Sequence, residues 1–240
     1  MKNYLEKSIL SILNQSFQNF EIIIVNDYSN DNTLNIIKKL KLKDKRIKLI
    51  NHSKNLGVFS SRVDAVLASR GKYIILMDPD DMFLNQKLLE KLYKYNLKYN
   101  LDIIEYTVFC YIEKKNELKI ISKYYHFHNF SSNFINQPEL SNLLYKNTLT
   151  NNYSTVRCRV IWNKIIKKEV LLKSLRYIGK DYYKHFFITA EDTIINFMCF
   201  QFAENYSNID IPGYMYNIRE ISMTHGKSNK KKSILFCYII

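Results

Sequence analysis

Five glycines, three prolines and one tryptophan in 240 residues give this chain little punctuation. The scarcity of Gly and Pro leaves no flexible linker, no repeat period, and no low-complexity tract beyond Lys230-Lys231-Lys232. No apolar run reaches the roughly 18 to 20 residues that span a bilayer, and no charged, then apolar, then small-residue leader precedes the first helix. The expectation is a cytoplasmic protein, with a peripheral position at a membrane surface left open. Cys110, Cys158, Cys199 and Cys237 lie far apart with no CxxC pair, which excludes a dense disulfide framework and a zinc ribbon. They read as reduced and mostly core.

What the chain has in quantity is apolar and basic residues. At 47% hydrophobic and 14% aromatic it can bury one substantial core, and its length suits one α/β domain with an appended lobe. The net charge of +14 suits nucleic acid, an anionic membrane face or phosphorylated substrates. The lysines are spread along the whole chain, and no zinc-finger, RRM or basic-helix signature accompanies them, so nucleic acid is not expected as a partner.

Leu5, Ile9, Ile12 and Leu13 recur at helical spacing, and Glu21 to Val25 is a short β-branched run that predicts a buried strand. A helix opening at Asp31, a strand over 46–50, a helix over 58–69 and a strand over 73–77 follow. Strands separated by helices predict a mostly parallel sheet with helices on both faces, whose ligands bind beyond the carboxyl ends of the strands. After a helix around 84–99 the pattern changes. Residues 102–112 and 118–125 predict an antiparallel hairpin, 137–205 a mainly helical lobe, and 209–211 a last short strand before Tyr214-Met215-Tyr216.

Three groups of carboxylates stand out. Asp78-Pro79-Asp80-Asp81 places three acids directly after a buried strand, where oxygen ligands suit a hard divalent cation bound together with substrate phosphates. A solvated acidic turn with Asp81 or Asn85 as a helix cap is the plainer reading. Asp27, after the run 21–25, sits at the same sheet edge, able to accept from a base N–H or ribose hydroxyl, or to form an Asx turn. Glu191-Asp192 opens a helix, where acids are also favoured by the helix dipole alone.

In combination these segments resemble a family. "LSILNQSFQNFEIIIVNDYSND" from Leu10, then "RIKLINHSKNLGVFSSR", "GKYIILMDPDDMF", "AEDTIINFMCF" and "IPGYMYNIREISMT" match, in order and approximate spacing, the family 2 glycosyltransferases of the GT-A fold. The resemblance implies a Rossmann-like sheet with a smaller acceptor-side lobe: a domain over 1–226, with a nucleotide-binding half (1–101) and an acceptor-side half (102–226), then a basic and apolar tail over 227–240. It implies metal-assisted inverting transfer from a nucleotide-sugar donor, a UDP-sugar, to a glycan, lipid-linked or protein hydroxyl. Asp27 then recognises the base, with Asn26 replacing a second acid; Lys54 touches the nucleotide; Asp78 lies near the ribose. Asp80 is the main ligand of Mn²⁺ or Mg²⁺ with Asp81 supporting, and His225 falls where some GT-A enzymes place a metal-contacting histidine. Asp192 is the catalytic base, with Glu191 second. Arg62 faces phosphate or pairs with Asp64, and Trp162 is either a sugar-stacking wall or core.

One departure is large. Family members open with an apolar strand before the helix that here starts near Tyr4, and this chain has none, which predicts unpaired sheet edges and an open base pocket. Two readings follow, a start upstream of Met1 or a non-catalytic GT-A remnant serving as a binding module.

Overall fold

The computed structural model describes residues 2–112, 117–120, 134–141, 160–179, 191–218 and 234–239, of which 2–3, 112, 117–120 and 234–239 are described by their backbone. His225, Arg219, His126 and His128 lie outside the described residues. The elements run α1 (Lys2–Leu13), β1 (Glu21–Asn26), α2 (Thr33–Lys43), β2 (Ile47–Asn51), α3 (Gly57–Ala68), β3 (Tyr73–Met77), β4 (Met82–Phe83) and α4 (Leu88–Tyr99). They continue through β5 (Ile103–Ile112), β6 (Glu117–Ile120), β7 (Phe134–Asn136), β8 (Lys164–Lys167), α5 (Lys168–Ile178), α6 (Glu191–Phe202), β9 (Asn205–Ile218) and β10 (Ile234–Ile239).

The main sheet has the order β2-β1-β10-β3-β8-β5-β9-β4. β1 pairs parallel to β2, β5 parallel to β9, and β1 and β3 share a direction because each runs antiparallel to β10. The α/β architecture with helices over a mostly parallel sheet is thus as expected, with β10, β8 and β4 running against the prevailing direction.

The inner strands are buried on both faces, so successive side chains feed two cores. Ile22 and Ile24 of β1 join Tyr73, Ile75 and Met77 of β3 under α1, where Leu5, Ile9 and Ile12 close the layer. Ile23 and Val25 join Ile74 and Leu76 on the other face, against Phe59, Val63 and Val66 of α3 and Val170, Leu171 and Ile195 of α5 and α6.

The sheet holds three surprises. The four-residue strand β8 lies within the stretch expected to be mainly helical, and it pairs with both β3 and β5. β9 is 14 residues long, where only a short strand was expected. Residues 234–239, read from sequence as the apolar part of a tail, fill the slot between β1 and β3: Glu21 pairs with Ile239, Asn26 with Ile234, and Met77 with Phe236. The sheet edges expected to be unpaired are therefore paired here, by residues far along the sequence from β1 and β3. A buried backbone edge that is left unpaired costs free energy at every orphaned N–H and C=O.

Helix α4 begins later than its sequence periodicity suggests. The Leu84 N–H donates to the Gly213 carbonyl and Asn85 Oδ1 accepts from the Lys87 N–H, so residues 84–87 belong to a turn ahead of the helix. The close approach of β9 there requires Gly213, because a Cβ would stand 2.3 Å from Leu88 Cδ1.

Candidate active site

β1 and β3 point the same way, so Asp27 and Asp78 both emerge at one edge of the sheet, where α3 and the start of α6 also converge. β3 delivers its acids through a tight turn in which the Asp81 N–H donates to the Asp78 carbonyl at 3.2 Å. The turn divides its carboxylates by direction. Asp81 is buried and points into the protein: Oδ2 accepts from the Tyr214 hydroxyl at 2.5 Å and Oδ1 from the Asn217 N–H at 2.8 Å. Asp78 and Asp80 remain partly exposed. Tyr214 also accepts from the Asp78 N–H at 3.4 Å, so one phenol braces both ends of the turn.

Crowding changes the proton affinities. Burial raises the Asp78 carboxyl most, Arg62 opposes it, and Asp80 and Glu191 push it further, to about 6. Burial, then Asp80 and Asp78, hold Asp81 well above the usual carboxylate range despite its two donors. A group that binds its proton more tightly folded than unfolded favours the native state at low pH and disfavours it as pH rises. Metal-free protein is therefore expected to lose stability as pH rises from the ordinary Asp value, about 3.9, towards 6. Asp80→Asn, which removes one repelling charge, is expected to raise metal-free stability at neutral pH by about 1 kcal/mol. Calorimetry in chelator checks both, and a less stable Asp80→Asn protein would contradict the account.

Arg62 is the hub of the site. It is buried on α3, with Nη2 at 3.4 Å from Asp78 Oδ1, Nη1 at 3.2 Å from Glu191 Oε1, and Nη1 also ion-paired with Asp192. Its Nε has no hydrogen-bond partner among the described residues. Of the two roles open for Arg62, pairing with Asp64 is not seen: Asp64 is 3.0 Å from His52 Nε2 instead. The guanidinium spans the acidic turn and the helix α6, joining residues 78, 191 and 192 that sequence alone could only place in one family pattern.

Asp27 is fully buried. Oδ1 accepts from the Leu56 N–H at 2.7 Å and lies 2.9 Å from His52 Nδ1, while Oδ2 accepts from the Gly57 N–H at 2.8 Å. It thus caps α3 from another strand, a favourable place for a carboxylate at a helix N-terminus. Gly57 has φ of 88°, a left-handed value that a side chain would strain. Tyr28, next to Asp27, also adopts positive φ at 60°, with an exposed ring. Lys54 is exposed on the loop between β2 and α3.

Trp162 is core. It is 3% exposed and stacks between Tyr214 and Tyr216, with centroids 5.0 and 5.1 Å away. Lys164 beside it is fully buried, donating to the Val160 carbonyl at 2.8 Å and to Asn163 Oδ1 at 2.6 Å, near Glu105 at 3.6 Å. Among the described residues no three His, Cys, Asp or Glu side chains form a ready-made metal cage. Nor is any described helix long and apolar enough to cross a membrane.

The acidic turn after β3, the buried Arg62 and the acids that open α6 thus meet at one edge of the sheet. The "Glycosyl transferase family 2" profile matches residues 2–174, and the chain belongs to that family. It is 35% identical over 189 residues to an uncharacterized glycosyltransferase of Methanocaldococcus jannaschii, covering 75% of this chain and 62% of that protein. To the poly(ribitol-phosphate) beta-N-acetylglucosaminyltransferase TarP of Staphylococcus aureus it is 38% identical over 104 residues, 42% of this chain and 31% of that one. S. aureus TarS 1–349, solved in complex with UDP-GlcNAc, superposes with a TM-score of 0.69 at 19% identity, over 95% of this chain and 58% of that chain, and so shares its GT-A fold. The chain spans about half the length of several of these relatives, 47% and 49% of two Haemophilus influenzae glycosyltransferases among them.

Proposed function

We propose that this chain is an inverting glycosyltransferase domain that moves a sugar from a UDP-sugar to a hydroxyl of a glycan, lipid-linked or protein acceptor. The observation that carries the reading is the Arg62 bridge between Asp78, in the acidic turn, and Glu191-Asp192 on α6. An inverting displacement needs a donor seat on one side of the sugar and one base on the other, and this bridge holds both sets of acids at one place.

Asp78 and Asp80 fit a hard divalent cation, Mn²⁺ or Mg²⁺. Both are partly exposed oxygen donors; burial first, then the neighbouring Asp80 and Glu191, raise Asp78, and a cation would offset that cost, since such ions use one or two carboxylates with substrate phosphates. A cation bound there supplies charge compensation for the departing diphosphate. Asp81 supports the turn from behind through Tyr214 and Asn217. Asp27 and Lys54 serve the nucleotide, and His225 remains assigned to the metal by resemblance. On the acceptor side, an Asp192 oxygen takes the hydroxyl proton while the acceptor oxygen attacks C1 opposite the diphosphate, and Arg62, ion-paired with Asp192, orients it. Glu191 is the second choice as base.

The test is UDP release with Mn²⁺ and a panel of UDP-sugars. UDP-GlcNAc comes first in that panel, because TarS binds it and TarP is an N-acetylglucosaminyltransferase. Turnover is expected to fall at least about 100-fold in Asp80→Ala, the usual scale for loss of a charge that stabilises the transition state. Equal rates in wild type and variant would sink the proposal.

A further inference from the structure

The side chain between the two acids at the far end of β2 has no role in the mechanism above. His52 is 9% exposed, and its two ring nitrogens face two different carboxylates: Nδ1 is 2.9 Å from Asp27 Oδ1 and Nε2 is 3.0 Å from Asp64 Oδ2. A neutral imidazole donates from one nitrogen only, and the other then presents a lone pair. Facing two ionised carboxylates, a neutral ring would set a lone pair against an anionic oxygen on one side or the other. Only the doubly protonated ring satisfies both contacts. His52 is anchored for this, since its backbone N–H donates to the Asn26 carbonyl at 3.0 Å.

We infer that His52 is a positioning residue for the nucleotide pocket, which as an imidazolium between Asp27 and Asp64 fixes the Asp27 carboxylate and the loop 52–57 against it. This inference rests on the proposed nucleotide role of Asp27. Three donors already converge on that buried carboxylate, the Leu56 and Gly57 amides and His52, out of about four acceptor directions. With His52 charged, its Nδ1–H holds Oδ1 and the carboxylate keeps its bearing. When the ring loses a proton, one of its two carboxylate contacts becomes repulsive and the loop that also carries Lys54 loses a tie. Donor affinity should therefore be higher with the ring charged than with it neutral, so wild type loses affinity, relative to a protein that does not need the charge, as pH rises. The groups facing the ring are Asp27 at the end of β1 and Asp64 on α3.

Asp64 makes the prediction specific. In Asp64→Asn the amide can donate to a bare Nε2, so a neutral ring keeps its Nδ1–H on Asp27 and the charge is no longer needed. The experiment is calorimetric binding of UDP with Mn²⁺ at several pH values from about 5 to 8, for wild type, Asp64→Asn and His52→Asn. All three proteins share the Asp78 carboxyl, pushed up to about 6, so the readout is wild-type affinity relative to that of Asp64→Asn, which is expected to fall roughly tenfold from the low to the high end, the scale of one hydrogen bond to a charged group. Asp64→Asn should show only the slope that the metal-side carboxylates and the nucleotide phosphate contribute. His52→Asn should bind more weakly than wild type at low pH and run parallel to Asp64→Asn. A wild-type profile parallel to that of Asp64→Asn overturns the inference. Absence of UDP binding at every pH overturns the nucleotide reading itself. The ring's charge is read independently from its nitrogen NMR resonances in ligand-free protein: both nitrogens protonated at low pH is the expected pattern, and a single bare nitrogen there rejects the imidazolium bridge.

Discussion

Asp192→Asn is expected to lower kcat about 1000-fold, within the range that a lost general base usually costs, while the affinity for UDP changes less than about twofold. The substitution keeps the shape of the side chain and an oxygen for Arg62, but removes the carboxylate we propose as the acceptor of the hydroxyl proton. Asp192 lies on the α6 side of the guanidinium and the acidic turn on the other, so donor contacts through Asp80 are untouched. Steady-state UDP release together with equilibrium UDP binding separates the two effects. Glu191→Gln is the companion measurement. Glu191 is more deeply buried, with side-chain exposure of 11% against 18%, so it should lower kcat less and stability more. A larger kcat loss in Glu191→Gln would reverse the assignment of base and support.

The sequence was most legible where local pattern and final environment agree. Ile22 to Val25 and Ile74 to Met77 are apolar in unbroken runs because both faces are covered, and such runs announce inner strands without further information. β8 was hidden because its ends are lysines. Lys164 reads as surface until Val160, Asn163 and Glu105 are seen around its ammonium, and those partners are a tertiary fact. β10 was hidden for another reason: its six residues follow a basic cluster, and nothing local states that a strand from the end of the chain pairs between β1 and β3. At the site, the order of acidic segments made Asp27, Asp78, Asp80 and Asp192 visible. Their orientations were not. That Asp81 turns inward to Tyr214, 133 positions away, and that His52 joins Asp27 to Asp64, depend on side-chain geometry that no spacing rule encodes.

Arg62→Met carries the largest expected cost in stability. Methionine keeps much of the buried stem but leaves Asp78, Glu191 and Asp192 around an apolar group, and breaking a buried ion pair from one side costs about 3 to 5 kcal/mol. For a domain of this size that is a fall in Tm of roughly 6 to 20 °C. The pH dependence identifies the cause. Burial already raises Asp78 and Arg62 opposes that rise, so without the guanidinium Asp78 holds its proton still more tightly folded than unfolded, and stability falls as pH rises from the unfolded carboxylate value of about 4. The deficit relative to wild type should be greatest at neutral pH and shrink near pH 4, where protonated acids no longer need a cation. Urea unfolding at the two pH values measures this directly; a deficit of the same size at both would assign the loss to packing. Arg62→Lys keeps the charge but has one compact ammonium where the native side chain reaches the turn with Nη2 and α6 with Nη1. It should recover only part of the stability and still leave the turn and the helix unlinked, so that kcat stays low in a protein that folds.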